Sequence, residues 1–118
     1  MKNKPELKID KYGNKYWRLN GLLHRIDGPA VEYLNGYKAW YLNGERHRIN
    51  GPAIEFLNGD KYWFLNGKKH RIDGPAVEFT SGYKAWFLNG KQVKEKDVID
   101  FNPKITEREY IEFVMNQI

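Results

Sequence analysis

One tryptophan stands every 23 residues along the middle of the chain, at Trp17, Trp40, Trp63 and Trp86. The residues between them keep the same step. Asn-Gly recurs at Asn20-Gly21, Asn43-Gly44, Asn66-Gly67 and Asn89-Gly90; Gly-Pro-Ala begins at Gly28, Gly51 and Gly74; a second turn pair falls at Asn35-Gly36, Asn58-Gly59 and Ser81-Gly82. The nine letters HRIDGPAVE start at His24 and return unchanged at His70, with HRINGPAIE between them at His47. So strict a period constrains the fold severely. Each unit is a supersecondary element too small to bury its own apolar surface, and it must stack on its neighbours.

The unit itself is legible. Asn-Gly between short runs of Trp, Tyr, Phe, Val and Leu signals a hairpin, because a type I′ turn needs positive φ at both central residues. Proline in the Asp-Gly-Pro corner is confined to the start of a strand. The pattern predicts a mainly β fold: an antiparallel meander of about ten strands built from 23-residue hairpin units, running from about residue 6 to about residue 94. With two-residue turns throughout, Leu19 faces Leu22, Arg18 faces Leu23, Trp17 faces His24 and Tyr16 faces Arg25. Around Asn35-Gly36 the same rule sets Glu32 opposite Ala39 and Val31 opposite Trp40. One core face then collects Trp17, Leu19, Leu22, His24, Val31, Tyr33, Trp40 and Leu42.

A recurring His-Arg-x-Asp invites a catalytic or metal reading, and the pattern argues against both. The position of His24, His47 and His70 is taken by Val93 in the fourth unit, so packing explains it better than chemistry. Equivalent residues two strands apart lie roughly 10 Å from each other, too far to share one zinc at about 2.0–2.1 Å. Asp27 and Asp73 alternate with Asn50, which removes a general-acid role. Arg25, Arg48 and Arg71 read as members of a charge ladder with Glu32, Glu55 and Glu78, or as arginines free to meet phosphate or carboxylate. No catalytic residue, metal site or cofactor is expected.

The unit from Tyr37 to Asp60, YKAWYLNGERHRINGPAIEFLNGD, resembles a MORN repeat through Tyr37, Trp40, Asn43-Gly44, His47, Gly51 and Asn58-Gly59. It departs from that family in the place of its Trp, in Ala39 and in Arg48. The resemblance covers roughly residues 14–90, and the HRxDGPA form is similar to repeats in phage and bacterial proteins. It implies a β-hairpin unit and a scaffolding or partner-binding role, with contact to membranes or lipid head groups in some members. A phage-type inhibitor of a host protein is one such role.

The 118 residues suit a single domain. Residues 1–13 read as an N-terminal strand or cap, 14–93 as the repeat sheet, 94–104 as a connector and 105–118 as a C-terminal capping helix. Thr106 and Glu109 match a capping box there, and Ile111, Val114, Met115 and Ile118 form an apolar stripe. The absence of cysteine excludes disulfides and thiolate metal sites. Without a signal-peptide pattern or a long apolar run, a soluble, cytoplasmic chain with no transmembrane segment is expected. The net charge of +5 is spread evenly, at +1 for each of the blocks 14–36, 37–59 and 60–82, which favours polyanions only weakly.

The second sheet face is expected to carry aromatics interleaved with arginine: Tyr16, Arg25, Tyr37, Tyr41, Arg48, Tyr62, Phe64, Arg71, Tyr83 and Phe87. Position 16/39/62/85 alternates Tyr, Ala, Tyr, Ala, a ridge-and-groove relief. Such a composition belongs to a protein interface or to a surface that stacks single-stranded bases. The expected function is a non-catalytic protein-interaction module working through that face or through a free strand edge. Nucleic acid or an anionic surface is the second candidate partner, and self-association through a sheet edge is a third possibility.

Overall fold

Every Asn-Gly pair near a tryptophan turns the hairpin its chemistry predicts. Asn20, Asn43, Asn66 and Asn89 sit at φ 49 to 51°, and the glycines that follow them at 77 to 85°, the two positive φ values of a type I′ turn. In this computed structural model, which describes residues 3–101, four hairpins result. Strand β2 (Lys15–Leu19) pairs with β3 (Leu22–Leu23), β6 (Tyr41–Leu42) with β7 (Glu45–Arg46), β10 (Phe64–Leu65) with β11 (Lys68–Lys69), and β13 (Lys84–Leu88) with β14 (Lys91–Val93). The register is the expected one, with Leu19 opposite Leu22 and Trp86 opposite Val93.

The fold is mainly β, with its strands in meander order. A ten-stranded antiparallel sheet runs β1 (Glu6–Ile9), β2, β4 (Val31–Glu32), β5 (Lys38–Ala39), β8 (Ile54–Glu55), β9 (Lys61–Tyr62), β12 (Val77–Glu78), β13 and β14, with β3 beside β2. Trp40 and Trp63 interrupt their strands, so that the first half of each pairs in this sheet and the second half in its own hairpin. Consecutive hairpins are also bonded together: Arg25 N–H donates to Tyr41 O at 3.1 Å and Gly44 N–H to Leu23 O at 2.8 Å, and the pattern repeats one unit on. Tyr16 therefore faces Val31, not Arg25.

The second family of turns differs from expectation. Tyr33 N–H donates to Tyr37 O and Gly36 N–H to Tyr33 O, which makes Leu34, Asn35 and Gly36 a three-residue loop. Only its glycine has positive φ, at 96°, the geometry of a type I turn closed by a left-handed residue. The added loop residue shifts the register by one, and a one-residue shift moves side chains to the opposite face. Val31 lies opposite Ala39 and Glu32 opposite Lys38. The expected core face thus mixed two faces, because Val31 and Tyr33 belong with Tyr16, while Trp17 and Trp40 belong with the glutamates.

Across the sheet, one face carries the row Tyr16, Val31, Ala39, Ile54, Tyr62, Val77 and Ala85. Of these Val31, Ala39, Ile54, Val77 and Ala85 are buried, together with Phe64 from the adjoining hairpin. The other face carries Lys15, Glu32, Lys38, Glu55, Lys61, Glu78 and Lys84, alternating in sign strand by strand. Each opposed pair on such a ladder contributes roughly 0.2–1 kcal/mol.

Helix α1 (Glu95–Phe101) lies inside the stretch read as a connector. Lys94 N–H donates to Asp97 Oδ2 at 3.0 Å, half of a capping box, and Val98 is buried. The capping helix read at 105–118 lies outside the described residues.

The loop glycines allow a direct test. Gly36 and Gly82 have φ of 96° and 99°, but a Cβ on Gly36 would meet Leu57 Cδ1 at 2.8 Å, whereas Gly82 has nothing within 4 Å. Both Gly→Ala variants should lose about 1 kcal/mol from positive φ alone. In urea titrations G36A should lose more than G82A, because Leu57 must also leave the turn it covers.

Candidate binding surfaces

The nine recurrent residues resolve into two devices. In the first, the histidine joins one unit to the next. Asn43 N–H donates to His24 Nδ1, Asn66 N–H to His47 Nδ1 and Asn89 N–H to His70 Nδ1, each at 2.9 Å. An accepting Nδ1 requires a neutral ring with its proton on Nε2. His47 and His70 are buried. Burial pushes the pKa of both down, that of His70 to about 4. Val93 fits the same logic, since no further Asn-Gly hairpin follows it to be capped.

In the second device the arginine closes over its own corner. The guanidinium carbons of Arg25, Arg48 and Arg71 lie 3.9, 3.8 and 3.9 Å from the ring centres of Trp17, Trp40 and Trp63. Their Nη1 atoms donate to Pro29 O, Pro52 O and Pro75 O at 3.0 Å. Arg25 and Arg71 also bind Asp27 and Asp73, and Arg48 and Arg71 bind Glu55 and Glu78. Glycine at 28, 51 and 74 lets the guanidinium lie this close, because a Cβ there would meet the arginine Cζ at 2.9, 2.9 and 2.7 Å and the arginine would have to shift. Ala30, Ala53 and Ala76 complete the corner with no exposed surface.

These three arginines therefore sit on the tryptophan face, apart from the aromatic residues grouped with them in the sequence. The remaining candidates do come together. Tyr16, Tyr33, Tyr37, Phe56, Tyr62, Phe79 and Tyr83 form a chain of ring contacts across the sheet, with successive centroids 5.0–6.1 Å apart. Phe64 joins at Tyr62, and Tyr41 packs on the same core. The expected relief at Ala39 and Ala85 is filled in, because Tyr37 and Tyr83, two residues earlier on the same face, supply the missing rings. Tyr33, Phe56 and Tyr83 are 37%, 40% and 53% exposed. A hydrogen bond with Tyr33, with burial and the Asp10 carboxylate adding to it, pushes the Tyr16 phenol up to about 12.

The cations of this face are ones the sequence reading missed. Arg18 lies 5.2 Å over Tyr16, Arg46 5.5 Å over Phe64, and Lys69 5.0 Å over Phe87 and 5.8 Å over Tyr62. Among the described residues none of the three has a carboxylate partner. Arg46 and Lys69 share one position of the repeat, which is Leu23 and Gln92 in the outer units, and Arg18 stands where the other units carry Tyr41, Phe64 and Phe87.

Among the described residues no three His, Asp or Glu side chains converge to hold a metal ion, and no helix is long and apolar enough to cross a membrane. Compared with protein-family models, with curated proteins and with solved structures, the chain gives no match.

Two outcomes follow from the paired devices. As pH falls, the unfolded chain protonates His47 and His70 near 6.5, before the native state does, so the stability they contribute is full above about 6.5 and is lost on the way down, for His70 to about 4. His70 alone accounts for on the order of 3 kcal/mol of that loss, and denaturant melts of H70V should show a flatter pH dependence than wild type. At the corner, G74A should displace Arg71 from Trp63 and cost about 1–3 kcal/mol. In an R71A background the same change should cost little, which a double-mutant cycle would show.

Proposed function

We propose that this chain is a non-catalytic protein-binding module whose working surface is the aromatic ladder with Arg18, Arg46 and Lys69 over its rings. The observation that carries this reading is the ladder itself: Tyr33, Phe56 and Tyr83 remain partly open to solvent on a sheet whose other face is a self-compensated charge ladder. Contiguous exposed aromatics mark interaction sites, and Tyr, Phe and Arg are the residues that dominate interface energetics. The histidines join one unit to the next, and the arginines and aspartates of the recurrent motif close their own corners, which supports a non-catalytic role. The match of Trp40, Asn43-Gly44 and His47 to a MORN-like unit supports the same role. Arg18, Arg46 and Lys69 over aromatic rings also support a second reading, a surface for single-stranded nucleic acid.

The test is affinity capture from a native lysate, with and without nuclease. It compares wild type with Y33S/F56S/Y83S and with the opposite-face variant K38S/K61S/K84S. The expected result is a stoichiometric protein that survives nuclease and is reduced at least tenfold by the aromatic variant alone. Equal loss in both variants, or none in either, overturns the proposal. Nucleic acid that leaves at moderate salt, with no protein behind it, favours the second reading.

A further inference from the structure

The three arginine corners are one device used three times, and the middle one is incomplete. Arg25 Nε–H donates to Asp27 at 3.0 Å and Arg71 Nε–H to Asp73 at 2.8 Å. Position 50 is asparagine, and among the described residues Arg48 donates only through Nη1, to Pro52 O at 3.0 Å and Glu55 Oε1 at 3.3 Å. Among the described residues its Nε and Nη2, the side edge of the guanidinium, have no hydrogen-bond partner. This same corner lines a groove of about 400 Å³ between the second and third units, walled by Arg48, Asn50, Trp63, Leu65, His70 and Asp73.

We infer that Arg48 anchors a carboxylate-binding site in this groove, where an incoming carboxylate takes the place at Nε that the aspartate takes in the other two corners. The chain's own corners display the chemistry: a carboxylate oxygen at 2.8–3.0 Å from Nε, with Nη1 held by a proline carbonyl. The Nε and Nη2 edge matches the two oxygens of a carboxylate, and such charge-assisted bonds are the strong ones. Stacking on Trp40 at 3.8 Å fixes the guanidinium beforehand, so little side-chain freedom is lost on binding. Glu55 does not preclude a second carboxylate, because Arg71 carries both Asp73 and Glu78. Asp73, on the groove's far wall, is already bound by Arg71. The site lies on the face opposite the aromatic ladder and stands or falls independently of the proposed function.

The source of the carboxylate is a free small acid or an acidic side chain of a bound protein. Two probes separate them, acetate and a terminally blocked Gly-Asp-Gly peptide, titrated at constant ionic strength against chloride. The readout is the arginine Nε–H region of ¹H–¹⁵N spectra. The expected result is that the Arg48 signal moves while those of Arg25 and Arg71 stay. N50D, which supplies the internal carboxylate that positions 27 and 73 already tolerate, should weaken the response at least tenfold. A tenfold lower midpoint for the peptide assigns the site to a protein side chain, and equal midpoints assign it to a small acid. An unmoved Arg48 signal, equal movement of all three arginines, or an N50D response like that of wild type overturns the inference.

Discussion

The array depends on a hydrogen bond in which an imidazole accepts. Each Asn-Gly turn beside a tryptophan holds its asparagine at positive φ, and at Asn43, Asn66 and Asn89 the N–H of that residue meets the Nδ1 of the histidine one unit earlier. A hydrogen bond of this kind contributes about 0.5–1.5 kcal/mol, so the histidine favours stacking of the next unit where a plain apolar residue would leave that N–H unpaired. The same bond ties cohesion to protonation, because an imidazolium has no lone pair to offer. Burial lowers the pKa of His47 and His70 and keeps them in the accepting form.

Around that seam the two faces take different tasks. The tryptophan face is internally paired: guanidinium on indole, glycine beneath it, carboxylates beside it, and a ladder of lysine and glutamate between. The opposite face is aromatic. Its buried strip of Val31, Ala39, Ile54 and Val77 gives way to rings that contact one another and remain half open. A doubled period of 46 residues underlies it. Asn14 and Asp60 accept the N–H of Leu34 and Thr80 in the neighbouring turn, and the Thr80 N–H holds Asp60 below the ordinary carboxylate range. The intervening units place Tyr37 and Tyr83 at that position instead. Turns are thus linked alternately by a polar bond and by ring packing.

The register error has a local cause that the sequence contains. The first residue of a type I′ pair must adopt positive φ, and all four turns beside a tryptophan carry asparagine there. The other family carries Asn35 and Asn58 but also Ser81, and its first member, around Gly13, has Tyr12. Tyrosine and serine are poor choices for positive φ, and that substitution pattern marks a loop in which only the glycine needs it. Once that is seen, Val31, Tyr33 and Glu32 fall on the correct faces. The side-chain partners of the arginines were harder to reach, because Arg48 and Glu55 meet through the fold of the corner and not through strand pairing.

By itself the sequence determined the period, the strand order, the type I′ hairpins and the structural role of the histidine, since each depends on local backbone preference or on substitution between units. Tertiary structure decided which rings share a surface, which cations lie on them, and which arginine corner is left incomplete. Those depend on how neighbouring units are offset and on the interruption of the strands at Trp40 and Trp63, and a one-residue difference in loop length moves side chains to the opposite face.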